Sequence, residues 1–106
     1  HYGGEFPANE FTGDSYVVPT DVQTEFHVYA VEWDATEIRW YVDDTLYLTQ
    51  NNWSSTGGAF PAPFDQDFFL IFNVAVGGNL PGAPDSTTIF PATMEVDWVR
   101  VYSGEP

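Results

Sequence analysis

An amide stands where an apolar side chain is expected. Residues 68–82 read FFLIFNVAVGGNLPG, apolar up to a break at Gly77-Gly78-Asn79 except for Asn73 at the centre. A buried amide must have several hydrogen bonds satisfied. Asn73 is therefore either bonded to neighbouring backbone in a core, or turned toward a polar ligand on the floor of a cleft. In an extended chain it shares a face with Phe69, Ile71 and Ala75, and the small Ala75 leaves room beside it. Asn79 is either a turn residue tolerating a left-handed conformation or a contact at the rim of that cleft.

Composition narrows the ligand. The chain has 106 residues, 43% hydrophobic and 18% aromatic, enough apolar surface for one small packed domain. Sixteen Asp and Glu stand against two Arg and no Lys, giving a net charge of −14. Phosphate recognition needs clustered Lys and Arg, so nucleic acid is excluded as a partner, and an anionic membrane surface is disfavoured for the same reason. Neutral ligands and metal cations remain. Such acidity suits solubility in a salty or extracellular setting. Cysteine is absent, which removes disulfides, thiolate metal sites and Cys nucleophiles. No apolar stretch has membrane length and no signal peptide is visible.

The elements that must position these residues read as strands. Residues 25–33 (EFHVYAVEW) alternate, with Tyr29, Val31 and Trp33 on one face; 34–37 (DATE) is a tight turn; 38–42 (IRWYV) is the next strand. Asp43-Asp44 forms a two-residue hairpin loop and 46–49 returns. Residues 50–66 form a long loop with room for a short helical turn. Residues 67–76 and 93–102 complete a set of about five strands, and 1–24 are irregular. No helical period, repeat or linker is present. The expected fold is an all-β antiparallel sandwich, and five strands with open edges suggest half of a larger one.

The ordered stretches HYGG (1–4), FHVYAVEWDATEIRWYVDD (26–44), PAPFDQDFFLIFNVAVGGNLPG (61–82) and FPATMEVDWVRVY (90–102) resemble the C-terminal half of glycoside hydrolase family 16, and within it the laminarinase-like endo-β-1,3-glucanases. The resemblance implies a concanavalin-like jelly roll of two curved sheets, with a β-glucan lying across the concave one. It also implies a catalytic strand bearing Glu-x-Asp-x-x-Glu, with the first Glu as nucleophile and the last as acid/base. Strand alternation puts the first Glu and the Asp on one face, and retention needs the two Glu carboxyls roughly 5–5.5 Å apart. In the family that strand precedes HYGG. Glu95-Val96-Asp97 has the first half of the spacing, but Arg100 stands where the second Glu would be, so no catalytic residue is assigned in this chain.

The expectation is that residues 1–106 are the C-terminal half of one such domain. This chain alone would be inactive and would not fold by itself. The N-terminal half, as a second chain, would supply both glutamates, in a secreted enzyme acting on β-glucan. A non-catalytic β-glucan-binding sandwich is the alternative.

Four residues are substrate-binding candidates. By resemblance, Asn73 lies close to the reacting sugar and His1 sits beside the catalytic strand, where it could bond a sugar hydroxyl. Trp53, in a loop with no periodic reason for an aromatic, is either a stacking platform or an anchor filling a gap under the chain. Phe60 and Phe64 are weaker candidates of the same type. Asn79 is the rim contact. Trp33, Trp40 and Trp98 read as core, and His27 as a structural residue bonding across strands. Asp43-Asp44 and Asp65/Asp67 read as solvated loop carboxylates. By resemblance, Asp97 on the last strand is a ligand of a structural Ca2+. Calcium takes six to eight oxygens, so the N-terminal half would complete the site.

Overall fold

The computed structural model describes residues 2–79 and 82–104. It comprises two units, His1–Phe68 and Phe69–Pro106. Among the described residues every regular element is a strand, all strand pairs are antiparallel, and there is no helix.

The first unit is built on the three-stranded sheet β3 (Tyr29–Trp33), β4 (Ile38–Val42), β5 (Thr45–Gln50), in that order. Alternation in β4 turns Ile38 and Val42 to one face, and both are buried. The turn at 34–37 forms where expected. The Asp34 carboxylate accepts the Thr36 amide and hydroxyl, each at 2.6 Å, and the Glu37 amide at 3.0 Å. These bonds, the Thr36 hydroxyl first, hold its pKa below the ordinary value. The second hairpin closes through Asp43 and Asp44 with φ of 46° and 63°. Two successive left-handed residues make the primed turn whose twist matches the flanking strands. A bulge between Trp40 and Tyr41 leaves Tyr47 unpaired, so Tyr41 faces Leu46.

On the exposed sheet face Arg39 lies opposite Glu32. It donates to Glu32 at 3.1 Å and to Glu37, with Asp34 3.9 Å away. Tyr41 donates to Glu32 at 2.8 Å. The Tyr41 hydrogen bond first, then Arg39, lowers the Glu32 pKa, and the Glu32 and Glu37 hydrogen bonds raise that of Arg39.

The segment read as irregular, 1–24, contains a small ribbon. β1 (Tyr2–Gly3) pairs β2 (Asn9–Glu10), closed by the Ala8 amide donating to Glu5 O at 2.7 Å. Gly3, at φ 91°, bridges Ser55 on its other side.

From residue 67 onward the chain differs from expectation. Residues 67–76 and 93–102 alternate as strands do, yet among the described residues neither is hydrogen-bonded into a sheet. A strand is defined by its ladder as well as its pattern, and among the described residues neither segment has a ladder partner. Large apolar side chains on both stay exposed, Phe69, Ile71 and Val101 among them. Trp98, read as core, is half exposed and carries the Arg100 guanidinium 4.6 Å from its ring centroid. Trp33 on β3 is likewise half exposed. Strand 25–33 shortens to begin at Tyr29, and 46–49 lengthens to Thr45–Gln50. After Gln50 the loop to residue 66 holds turns and the single bridge at Ser55, and no helical turn.

Candidate functional site

The site that forms is where the ribbon meets the segment following β5. In the segment that follows β5, Trp53 is buried while Asn51, Asn52 and Ser54 are exposed. Gly3 donates its amide to Ser54 O at 2.8 Å, and Thr56 donates to Gly3 O at 3.3 Å. Two backbone hydrogen bonds thus tie the HYGG stretch to the Trp53 loop. Between them lies a cavity of about 120 Å³ lined by Tyr2, Glu10, Asn52, Trp53 and Ser54. Beside it runs a polar row. Tyr2 Oη and Thr12 Oγ1 are 3.1 Å apart, and Gln50 Nε2 donates to Thr12 Oγ1 at 3.1 Å and to Asn52 O at 2.6 Å. The lining brings a hydroxyl, an amide and a carboxylate to one edge of the indole.

Trp53 itself is 5% exposed. Its ring meets Phe60 at a centroid distance of 4.7 Å and Phe64, edge on, at 5.1 Å. Its Nε1–H donates to Pro61 O at 3.0 Å. These contacts are the anchor arrangement, with the indole pinning the 60–64 turn, and a ring so enclosed offers no open face for stacking. Phe64 continues the cluster onto Phe68 at 5.8 Å.

Of the other candidates, His1 lies outside the described residues. Asn73, Asn79 and Asp97 fall in the second unit and are exposed. In that unit Gly77 and Gly78 both have positive φ, 74° and 111°, and the Gly82 amide donates to Gly78 O at 3.0 Å. A Cβ on Gly77 would sit 3.2 Å from Pro84 Cδ, so the glycine turn beside Asn79 has a steric reason. Among the described residues no group of three or more His, Cys, Asp or Glu could hold a metal ion. The residues present do not by themselves fit a calcium shell around Asp97. His27 bonds across as expected, with Nδ1 2.7 Å from Asp43 Oδ2 and Nε2 3.2 Å from Thr20 Oγ1. Asp43 is thus more than a solvated loop acid. It also accepts the Val28 amide at 3.0 Å, and these bonds, His27 first, lower its pKa.

The reading from sequence missed Tyr2, Glu10, Asn52 and Ser54. Tyr2 was within reach, as part of HYGG. Glu10 carried no signal, because its position depends on pairing with Tyr2 across the ribbon. No helix among the described residues is long and apolar enough to cross a membrane.

The family model for glycosyl hydrolases family 16 matches residues 3–100. The chain is 45% identical to glucan endo-1,3-beta-glucosidase A1 of Niallia circulans over 96% of its length, and 49% identical to a beta-glucanase of Rhodothermus marinus over 85%. It is also 36% identical, over 86% of its length, to a beta-1,3-glucan-binding protein of Penaeus monodon. It spans only 16%, 32% and 30% of those three proteins. No solved structure gives a significant match.

Proposed function

Because the chain belongs to glycosyl hydrolases family 16, a family of jelly-roll sandwiches, we propose that it is the C-terminal half of a retaining endo-β-1,3-glucanase of the laminarinase or mixed-linkage type. The observation that carries this reading is the match over 3–100, together with 45% and 49% identity to two glucan hydrolases. The catalytic Glu pair comes from the N-terminal half. This half contributes cleft wall, with Asn73 and Asn79 toward the glucan and the HYGG ribbon beside the catalytic strand. Asp97 would give one ligand to a calcium site completed by the N-terminal half. The charge of −14 fits a secreted enzyme acting on a neutral polymer.

The test is laminarin hydrolysis by the complete protein, with the anomer of the first product followed by NMR. Retention is expected. An inverted first product, or no hydrolysis of laminarin or mixed-linkage glucan, removes the reading. The chain alone should be inactive; turnover by it would place catalytic groups among these 106 residues. An intact-mass spectrum under denaturing conditions tests the two-chain arrangement. A second species carrying Glu-x-Asp-x-x-Glu supports it, and a single species near 11.9 kDa opposes it.

A second reading, a glucan-binding module without catalysis, is favoured by the Penaeus relative. Replacement of the upstream glutamates, with laminarin retardation retained in affinity electrophoresis, would decide for it.

A further inference from the structure

We propose that Asn52 is an acceptor for an N-linked oligosaccharide, displayed at the surface by the anchoring of its neighbour Trp53. The inference rests on the secreted reading above and adds a covalent modification to it. Residues 52–54 read Asn-Trp-Ser, the single Asn-x-Ser/Thr triplet in the chain. With x other than Pro, that triplet is the acceptor pattern for this linkage, and it belongs on the surface of a secreted protein.

The arrangement of the triplet fits that use. Trp53, the middle residue, is buried and held by Phe60, Phe64 and the Pro61 carbonyl. Asn52 and Ser54 on either side of it are exposed, and both line the same depression. Their backbone oxygens are engaged: Asn52 O accepts from Gln50 Nε2 at 2.6 Å and Ser54 O from the Gly3 amide at 2.8 Å. Among the described residues neither side chain has a hydrogen-bond partner. The backbone of the triplet is thus tied down while its amide and hydroxyl are left over, and a glycan on Asn52 breaks no side-chain hydrogen bond and enters no core. In the transfer, Asn52 Nδ2 attacks C1 of an oligosaccharyl diphosphate lipid. The Nδ2–C1 bond forms as the C1–O bond to the diphosphate breaks, the amide gives up one proton, and the lipid diphosphate leaves. Ser54 is a positioning residue here, its hydroxyl being the group by which the transferase recognises the acceptor.

The experiment uses the complete protein collected from the medium of a eukaryotic secretory host and treated with peptide-N-glycosidase. Enzymatic release of an N-glycan leaves an aspartate where the asparagine stood, so peptide mass spectrometry reads the site directly. Wild type is expected to lose one oligosaccharide on treatment and to show aspartate at position 52 afterwards. Ser54→Ala should abolish that loss with Asn52 still in place, and Ser54→Thr should retain it. Unmodified Asn52 in the secreted wild type refutes the acceptor, while laminarin hydrolysis by the same sample leaves the glucanase reading standing. A glycan that persists in Ser54→Ala refutes it too, because it would be attached elsewhere. If the complete protein is not secreted, the secreted reading falls and takes the acceptor with it.

Discussion

Asp43 does two jobs in one residue. Its backbone takes a left-handed turn position, and its carboxylate bridges His27 and the Val28 amide. Because its folded pKa is depressed, it contributes stability above its ordinary value of 3.8, and that stability is lost as pH falls through the lower folded value. An NMR titration of the complete protein should find the Asp43 carboxyl below 3.8, and His27→Ala should move it back upward. No change on removing His27 would mean the bridge is not the cause. Trp53 is the other residue to change. Trp53→Ala should cost about 3–5 kcal/mol, since it empties the space between Phe60 and Phe64. Trp53→Phe should cost less, by loss of the bond to Pro61 O and part of the ring. Denaturant melts with equal effects would show that packing counts for nothing beyond the hydrogen bond. The sequence could raise Trp53 as anchor or platform but could not choose, because the choice depends on where Phe60 and Phe64 arrive.

At the scale of elements, local signals were read well and distant ones poorly. The Asp34 turn and the Asp43-Asp44 loop lie in four- and two-residue stretches whose side chains bond their own backbone or tolerate positive φ. Strands 38–42 and 45–50 follow from those turns, since a tight turn fixes register. Residues 67–76 and 93–102 have equally clear alternation, but a strand needs a partner edge, and alternation does not name one. The ribbon at 2–10 went unseen because two-residue strands leave no periodic trace. The hairpin offers its own prediction. Asp44 stands at φ 63°, where glycine is unstrained. Asp44→Gly should stabilise the complete protein by a few tenths to about 1 kcal/mol, read from the denaturant midpoint. A lower midpoint would mean that the Asp44 side chain matters to the turn.

At the scale of the molecule, the buried hydrophobic residues in the described part are Ile38, Val42 and Trp53. At roughly 1.5–3 kcal/mol each, they cannot offset the chain entropy of a domain this long. The isolated chain should lack a sharp cooperative melt and should associate, most strongly as pH falls toward its isoelectric point near 4.1 and self-repulsion fades. Light scattering against pH tests this directly. A monodisperse, cooperatively melting monomer would show that the exposed faces of Phe69, Ile71 and Val101 are covered within the chain after all.

The bond between Gly3 and Ser54 has a consequence in time. It joins residues 51 apart in sequence, whereas the β3–β4–β5 hairpins close over turns of a few residues. Closing a long loop is entropically slower than closing a short one, and hairpins form in about 1–10 μs. The ribbon should therefore dock after the sheet exists and leave it first on unfolding. In native-state hydrogen exchange the Gly3 and Thr56 amides should open at lower free energy than those of β4. The order of assembly would then run from the middle of this unit outward, with the β1–β2 ribbon the last part in place and the first to yield.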